Sequence, residues 1–318
     1  TPRRLALFVG SDVTLNFTLT VSAAIEQRTV TASAGAIETA RSQPVSVVTK
    51  SDVEALPVLE RNFLVLALLA PGVSPTNTST NQLFAETSAV PGQGISVGSQ
   101  RNFSNNFIVD GLSANDDAAG LSGIPYGVDA VDQFQVVTSG GQAELGRALG
   151  GYVNIVTKSG TNVTHGTMYG YFRDDNLNAP NVLSGTTLPM SQQQYGGSVG
   201  GPINRDRTFF FSNVEQRKLD QAGLTTIADS NVASINARLA AVGYPGSPVT
   251  TGVYQNPVDM TNLVAKVDHQ IRRNDLFNVK YSLYDVASTN SRGAGGLNAP
   301  SSSAGLDNID QAISVSNT

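Results

Sequence analysis

Hydrophobic and polar residues alternate through most of the second half of the chain. An alternation of period two predicts strands with one apolar and one polar face. Six strands are predicted in this region, at residues 166–173, 193–201, 208–215, 262–270, 276–285 and 312–316. The connections between them run long, short, long, short, long, and the longest covers residues 217–261.

The fourth and fifth of these strands show the alternation most clearly. Leu263, Ala265 and Val267 alternate with Val264, Lys266 and Asp268, and Phe277, Val279, Tyr281 and Leu283 alternate with Asn278, Lys280 and Ser282. Transmembrane barrel strands of about 9–11 residues have this pattern, with short turns on one side of the membrane and long loops on the other. We therefore predict antiparallel barrel strands, with one face toward lipid and the other toward the lumen. Tyr169, Tyr171 and residues 209–211 could contribute to aromatic girdles, although ordinary sheet packing explains them equally well.

Six strands are too few to close such a barrel, since even small closed barrels have about eight. An open set of strands in lipid would leave unsatisfied backbone groups at its edges, which is costly. In addition, the chain starts at Thr1 and shows no signal peptide. We therefore expect a piece of a longer protein, with an incomplete barrel.

The first half of the chain predicts a mixed α+β fold. Strands are predicted at 5–9, 13–21, 45–49, 95–98, 106–110, 134–137 and 152–157. Ser51 or Asp52 can cap a short helix that Leu56-Pro57 ends. A second helix at 60–69 would place Phe63, Leu66, Leu69 and Ala70 on one apolar face, and a helical piece is predicted at 143–149.

Glycines mark two special positions in this half. Asp110-Gly111 can form a tight turn, because glycine accepts a positive φ, and we expect Asp110 to serve as a turn residue with a capping carboxylate. Gly150 and Gly151 suit either a turn at positive φ or a close approach of two backbones.

Composition and motifs narrow the possible functions. Charged residues make up 14% of the chain and the net charge is −5, with no Lys/Arg cluster, so we expect no nucleic-acid partner. There is no cysteine and no apolar run of 18 residues, which excludes thiolate chemistry and a transmembrane helix. His165 and His269 lie in or beside predicted strands without a partner at metal-ligand spacing. We find no nucleophile elbow, phosphate loop or zinc motif, and we expect no enzyme, cofactor or metal.

Three motifs, in this order, carry a family resemblance: ALPVLERNFLVLALLAPGV at 55–73, RNFSNNFIVDGL at 101–112 and GRALGGYVNIVTKSGTN at 146–162. Together they resemble the plug domain and first barrel strands of TonB-dependent outer-membrane receptors, most of all the Oar-like branch. The resemblance implies four regions. Residues 1–24 would be the remnant of a carboxypeptidase-regulatory-like β-sandwich, 25–43 a TonB-box-like segment and linker, 44–160 the plug, and 161–318 the start of the barrel.

The resemblance also implies candidate site residues. Thr29, Val30, Thr31 and Ala32 are either a linker strand or a TonB box, an extended segment that pairs with the periplasmic energy coupler TonB by strand addition. Possible ligand contacts in plug loops are Arg101, Asn105, Asn106, Asn115, Asp116 and Asp117. Residues 115–117 could instead ligate a cation, but their spacing matches no EF-hand and we favour a solvated polar loop.

The function implied is active uptake across the outer membrane of a large ligand, such as an oligosaccharide, a peptide or a chelate. TonB would supply the energy, and outer-membrane lipid would surround the barrel. The alternative is a surface adhesion or interaction protein of the same architecture without transport. A third possibility, a soluble periplasmic β-rich enzyme, would need catalytic residues that we do not find.

Overall fold

The computed structural model describes residues 45–56, 63–76, 94–116, 121–122, 126–140, 143–180, 185 and 187–318. The chain divides into two compact units, residues 1–158 and residues 159–318. The predictions for residues 1–24 and 25–43, including the segment Thr29 to Ala32, lie outside the described residues. We describe the two units separately.

The described part of unit 1 contains short strands and two short helices. The strands are β1 (Val45–Val48), β2 (Val73–Pro75), β3 (Ile95–Val97), β4 (Asn106–Val109), β5 (Leu112–Ser113), β6 (Asn115–Asp116), β7 (Leu121–Ser122), β8 (Val131–Val137) and β9 (Tyr152–Thr157). The helices are α1 (Lys50–Ala55) and α2 (Leu64–Ala67). Five strands form one sheet in the order β1-β8-β9-β4-β5, in which only the β4–β9 pair is parallel.

The core of unit 1 lies around β4, β8 and β9. All four residues of β4 are buried, so this strand lacks the alternation that a half-exposed strand would show. Phe63, at the start of α2, packs edge to face against Phe134 of β8 with ring centroids 5.5 Å apart. Apolar burial on both sides of the central strands therefore stabilises the sheet.

The helix predictions for unit 1 are only partly right. Phe63, Leu66 and Ala70 are buried as predicted, but Leu69 is 65% exposed because α2 ends at Ala67 and the chain turns there. Neither Ser51 nor Asp52 is the N-cap of α1; Thr49 is, and its hydroxyl accepts from the Asp52 backbone N–H. The helical piece predicted at 143–149 is one 3-10 turn, Ala143–Leu145.

Unit 2 is an antiparallel sheet of long strands. They are β10 (His165–Asp174), β11 (Met190–Asn204), β12 (Thr208–Thr225), β13 (Gly252–Gln255), β14 (Val258–Arg272), β15 (Asp275–Arg292) and β16 (Ala304–Asn317), with helix α3 (Asp229–Ala241) between β12 and β13. Six strands lie in the order β10-β11-β12-β14-β15-β16, and β13 pairs with the end of β12. The six predicted strands are confirmed in their order, and across the described residues the barrel is not closed.

The strands of unit 2 are longer than the sequence predicted. β12 and β15 each contain 18 residues, whereas about 9–11 suffice to cross the hydrocarbon core. The loop predicted at 217–261 was therefore too long: β12 continues to Thr225, β14 begins at Val258, and α3 and β13 lie between them. Apolar alternation marks only the part of a strand with one apolar face, while the backbone ladder continues past it with polar residues on both sides.

The two faces of the unit 2 sheet differ in chemistry. We call the face with Leu263, Val267 and Ile313 the outer face, and the opposite one the inner face. Outer-face side chains are exposed or half-exposed and largely apolar. The inner face holds the buried polar side chains Gln192, Gln194, Asn213, Glu215, Arg217, Asn262, Lys266, Asp268, Asn278, Lys280 and Ser282. The predicted alternation of 263–267 and 277–283 is confirmed.

No helix in the described parts of the chain has the length and apolar character needed to cross a membrane.

Candidate functional site

Asn105 ties three segments of unit 1 together. It is 3% exposed and follows the 3-10 turn Asn102–Ser104. Its side-chain amide donates to the Ile95 carbonyl at 2.5 Å, and its side-chain oxygen accepts from the Gly151 N–H at 3.1 Å. The side chain therefore replaces backbone pairing between β3 and the start of β9.

The neighbouring asparagines also bind backbone groups. Asn106 is buried, and its Nδ2 donates to the Leu145 carbonyl at 2.7 Å. Asn115 Oδ1 accepts from the Phe107 N–H at 2.7 Å. These contacts fix the turn Ala143–Leu145 and strand β6 to β4.

The predicted ligand contacts therefore fall into two groups. Asn105, Asn106 and Asn115 use their side chains to hold the fold, a role that sequence reasoning missed. Arg101 is exposed and Asp116 is half-buried, while Asp117 lies outside the described residues. Ligand contact by the predicted set stays a prediction, and the exposed position of Arg101 suits it best.

Asp110 and Gly111 form the predicted turn. Their φ angles are 51° and 83°, and they connect β4 to β5 through the pair Val109↔Leu112. The Asp110 carboxylate accepts from the Thr157 N–H at 2.9 Å and from the Thr157 hydroxyl at 2.7 Å. The prediction of a turn with a capping carboxylate is confirmed, and the carboxylate also fixes the end of β9.

Gly150 and Gly151 are sites of close approach, one of the two predicted alternatives. A Cβ on Gly150 would lie 2.5 Å from Asn105 Oδ1, and one on Gly151 would lie 2.7 Å from Val97 Cγ1 and 2.8 Å from the Val137 carbonyl oxygen. Neither has a positive φ. Glycine is required here because any side chain would collide with the packed strands.

The inner face of unit 2 carries paired charges. Tyr169 donates from its hydroxyl to Glu215 Oε2 at 2.9 Å. Asp268 Oδ1 accepts from Asn278 Nδ2 at 2.6 Å and lies 4.0 Å from Lys266 Nζ. Buried charges require such partners.

One line of the inner face crosses six strands. Directly paired residues give the sequence Tyr169, Gly196, Glu215, Asn262, Tyr284 and Asp310 from β10 to β16. The side-chain oxygen of Asn262 is buried without a hydrogen-bond partner among the described residues. Hydroxyl, carboxylate and amide groups thus form a polar row along the wall, in which Tyr169 reaches over Gly196 to Glu215.

Two further predictions concern aromatic and histidine side chains. Tyr169 and Tyr171 lie on the inner face and their rings pack against each other, so sheet packing, the second of the two interpretations, explains them and an interfacial girdle does not. Both histidines lie in strands: His269 Nδ1 is 2.8 Å from the Thr208 hydroxyl, and His165 Nδ1 is 3.0 Å from the Val163 carbonyl oxygen.

Comparison with known proteins agrees with this architecture. A family model described as an outer membrane beta barrel domain matches residues 156–257. A curated relative, the TonB-dependent transporter Oar of Myxococcus xanthus, is 31% identical over 160 residues, which are 48% of this chain and 14% of the relative's length. The aligned part is thus a small portion of that protein.

Several solved structures share the fold. The siderophore receptor PirA from Acinetobacter baumannii has a TM-score of 0.51 at 21% identity, covering 78% of this chain and 32% of that one. The outer membrane transporter YddB from Escherichia coli gives 0.52 at 16%, covering 77% and 33%. A mutant ferric enterobactin receptor from Pseudomonas aeruginosa, in complex with enterobactin, gives 0.58 at 16%, covering 86% and 38%.

Unit 2 has the strand architecture of an outer-membrane β-barrel, which the family model matches over residues 156–257, and the comparisons indicate an outer-membrane location. The resemblance to TonB-dependent outer-membrane receptors of the Oar-like branch is confirmed.

Proposed function

We propose that this chain is part of an active transporter that carries a large ligand across the outer membrane with energy from the TonB complex. The 31% identity to a TonB-dependent transporter over 160 residues carries the proposal. The ligand is an oligosaccharide, a peptide or a chelate. The chain acts by binding and conformational change, without catalysis.

Unit 1 would serve as the plug. Its first described strand, β1, lies at the edge of the sheet and is held by four residue pairs with β8. An edge strand has one neighbour to lose, so it separates at lower cost than a central strand. A pull on the chain ahead of Val45 would therefore act first on β1.

The segment Thr29 to Ala32 would be where that pull is applied. Strand addition needs free backbone groups and an extended, β-prone segment. The TVTA sequence at these positions fits that requirement, because threonine and valine favour extended backbone.

The polar inner face of unit 2 would line the route. Amide, hydroxyl and charged side chains suit the passage of a hydrated ligand. An apolar wall would instead bind the apolar parts of the ligand and slow its passage. The row from Tyr169 to Asp310 supplies such groups on five of the six strands, and Tyr169 bridges the sixth, over Gly196, to Glu215.

Uptake measurements test this function. Cells with the full-length protein would be given three labelled probes: a tryptic peptide mixture, a maltooligosaccharide mixture and a ferric catecholate. We expect cells to accumulate one probe class. A protonophore should abolish this accumulation by removing the proton gradient that energises TonB. Val30→Pro should abolish it because proline removes a backbone donor needed for strand addition. Accumulation of none, or accumulation indifferent to both treatments, would refute transport.

Val30→Pro also distinguishes the adhesion alternative from transport. Proline at this position blocks strand addition but leaves the external loops intact. Attachment of cells to a surface that survives the substitution, without energised uptake of any probe, would favour adhesion.

A further inference from the structure

Polar groups without hydrogen-bond partners cluster at the end of the unit 2 sheet that carries its long connections. Within the described part of the chain, four uncharged side chains there each hold a buried atom that makes no hydrogen bond: Gln192 Oε1, Gln221 Nε2, Thr225 Oγ1 and Asn256 Oδ1. Gln192 and Thr225 are 4% and 2% exposed. Since buried polar groups have partners as a rule, the cluster indicates a place where a ligand supplies them.

The strand register puts these side chains on the inner face and close to one another. Gln192 of β11 pairs with Leu219 of β12, and Gln221 lies two residues further along β12 on the same face. The Asn256 N–H donates to the Gln221 carbonyl at 2.7 Å, which continues the pairing of β13 with β12. Gln221 and Asn256 are therefore direct cross-strand neighbours with their side chains on one face.

The aromatic ring of Tyr254 lies among these groups. Tyr254 pairs with Gly223, which stands between Gln221 and Thr225 on the inner face of β12. A Cβ on Gly223 would lie 2.3 Å from the Tyr254 ring, so glycine is required for the ring to cover the strand. Tyr254 is half-buried and keeps surface that a ligand can contact.

The connection between β15 and β16 borders the same place. The Gly296 N–H donates to the Leu224 carbonyl at 3.0 Å, and the Gly296 carbonyl accepts from the Thr226 N–H at 2.7 Å. A Cβ on the neighbouring Gly295 would lie 3.1 Å from the Tyr254 hydroxyl oxygen. β12, β13 and this connection therefore hold the polar groups and the ring in position before a ligand binds, which lowers the ordering cost of binding.

The unmet hydrogen bonds match the chemistry of a hydroxyl group. Gln221 Nε2 is a donor and Asn256 Oδ1 is an acceptor, and a hydroxyl both donates and accepts through one oxygen. One hydroxyl between the two side chains therefore satisfies both atoms. A sugar ring carries several hydroxyls at its rim and C–H groups on its faces. Those C–H groups pack favourably on the electron-rich face of an aromatic ring such as Tyr254.

We call these five side chains the loop-end site: Gln192, Gln221, Thr225, Tyr254 and Asn256. We propose that the loop-end site binds a neutral oligosaccharide. Resting on the proposed function, the inference selects one of its three ligand classes. The five side chains are uncharged, and Arg173, which pairs with Gln192, adds one positive charge beside them. A chelate with several negative charges would need several cations, and a peptide would bring charged groups that amides and hydroxyls do not neutralise.

Equilibrium binding to the purified full-length protein in detergent tests the ligand class. The probes are a panel of fluorescent glucan, mannan, xylan and galactan oligosaccharides, a fluorescent tryptic peptide mixture and a ferric catecholate. We expect at least one neutral oligosaccharide to bind, and neither the peptides nor the ferric catecholate to displace it. Binding of no oligosaccharide in the panel would overturn the proposal.

Variants of the loop-end site test which residues bind the oligosaccharide. Gln221→Ala/Asn256→Ala should weaken its binding by about tenfold or more, because two hydrogen bonds are lost. Tyr254→Ala should weaken binding too, and Tyr254→Phe should recover most of that loss because it restores the ring. Gln255→Ala, exposed on the opposite face of β13, is the matched control. Heat-dependent mobility on gels shows that each variant is folded. Equal affinities of the double variant and the control would overturn the site.

Binding and transport fail in different ways. Oligosaccharide binding that depends on Gln221 and Asn256, without energised uptake, would refute the proposed function and uphold the loop-end site. Energised uptake of the peptides or the ferric catecholate, with no oligosaccharide bound, would uphold transport and overturn the loop-end site.

Discussion

Single polar side chains hold unit 1 where backbone pairing ends. Asn105 joins Ile95 to Gly151, and Asp110 joins the β4–β5 turn to Thr157. Leaving a buried backbone group unsatisfied costs about 1–3 kcal/mol. These side chains are therefore expected to matter more for stability than their small size suggests.

Asn105→Ala should destabilise unit 1 by about 2–6 kcal/mol, because it orphans two buried backbone groups at ~1–3 kcal/mol each. Calorimetry of the purified full-length protein would measure the change, with Asn231→Ala as the control. A shift no larger than that of the control would mean that water replaces the Asn105 amide.

The start of α1 should respond to acid. Hydrogen bonds from the Thr49 hydroxyl at 2.7 Å and the Thr49 N–H at 3.0 Å lower the pKa of Asp52. A lowered folded-state pKa contributes stability above the ordinary pKa of an aspartate, and that stability is lost as the pH falls through the lowered value. Protection of the Val53 amide against hydrogen exchange should fall in that acidic range. In Asp52→Asn this acid-dependent step should be missing; its persistence would assign it to another group.

At the scale of elements, the sequence predicted what depends on local pattern. Strand β9 was predicted at its observed bounds, 152–157, because the pair Gly150-Gly151 marks its start and its apolar residues end before Lys158-Ser159-Gly160. The C-terminal end of β12 and the N-terminal end of β14 were missed. Polar residues such as Lys218 and Asp259 belong to these strands only because their backbones pair across the sheet, which the alternation pattern does not show. The cap at Thr49 fits a local capping-box pattern, Thr-x-x-Asp, that the prediction of Ser51 or Asp52 missed. The contacts of Asn105 join residues distant in sequence, which no local pattern contains.

One cross-strand contact should set how firmly β10 is held. Tyr169 passes over Gly196, where a Cβ would lie 2.6 Å from its hydroxyl oxygen, and reaches Glu215 on β12. Tyr169→Phe should destabilise the sheet by about 1.5–3 kcal/mol, the usual value for a hydrogen bond to a charged group. Gly196→Ala should also destabilise the sheet, because its methyl group would meet the Val214 carbonyl oxygen at 2.5 Å as well as the Tyr169 ring. Heat-dependent mobility of the full-length barrel on gels would measure both, with Gly170→Ala as control. A barrel of unchanged heat stability in both variants would show that β10 is held by its backbone ladder alone.

At the scale of the whole molecule, the apolar outer face and polar inner face of unit 2 suit a wall between lipid and an aqueous lumen. Ile313→Arg, on the outer face, should lower barrel stability by about 2–4 kcal/mol if it lies near the bilayer midplane. Ala312→Arg, one residue before and on the inner face opposite Ser282, is the matched variant and should be tolerated. The measurement is the amount of each full-length variant assembled in outer membranes. Equal assembly of the two arginine variants would contradict the assignment of the outer and inner faces.

Energy coupling through residues 29–32 is the central claim, and cross-linking tests it most directly. Single cysteines would replace Thr29, Val30, Thr31 and Ala32 in the full-length protein, and each would be oxidised against a cysteine in the C-terminal domain of TonB. Because side chains of a strand alternate between two faces, we predict strong cross-links at one alternate pair and weak ones at the other. Cross-linking at all four positions no stronger than at Asn231→Cys would contradict coupling at this segment.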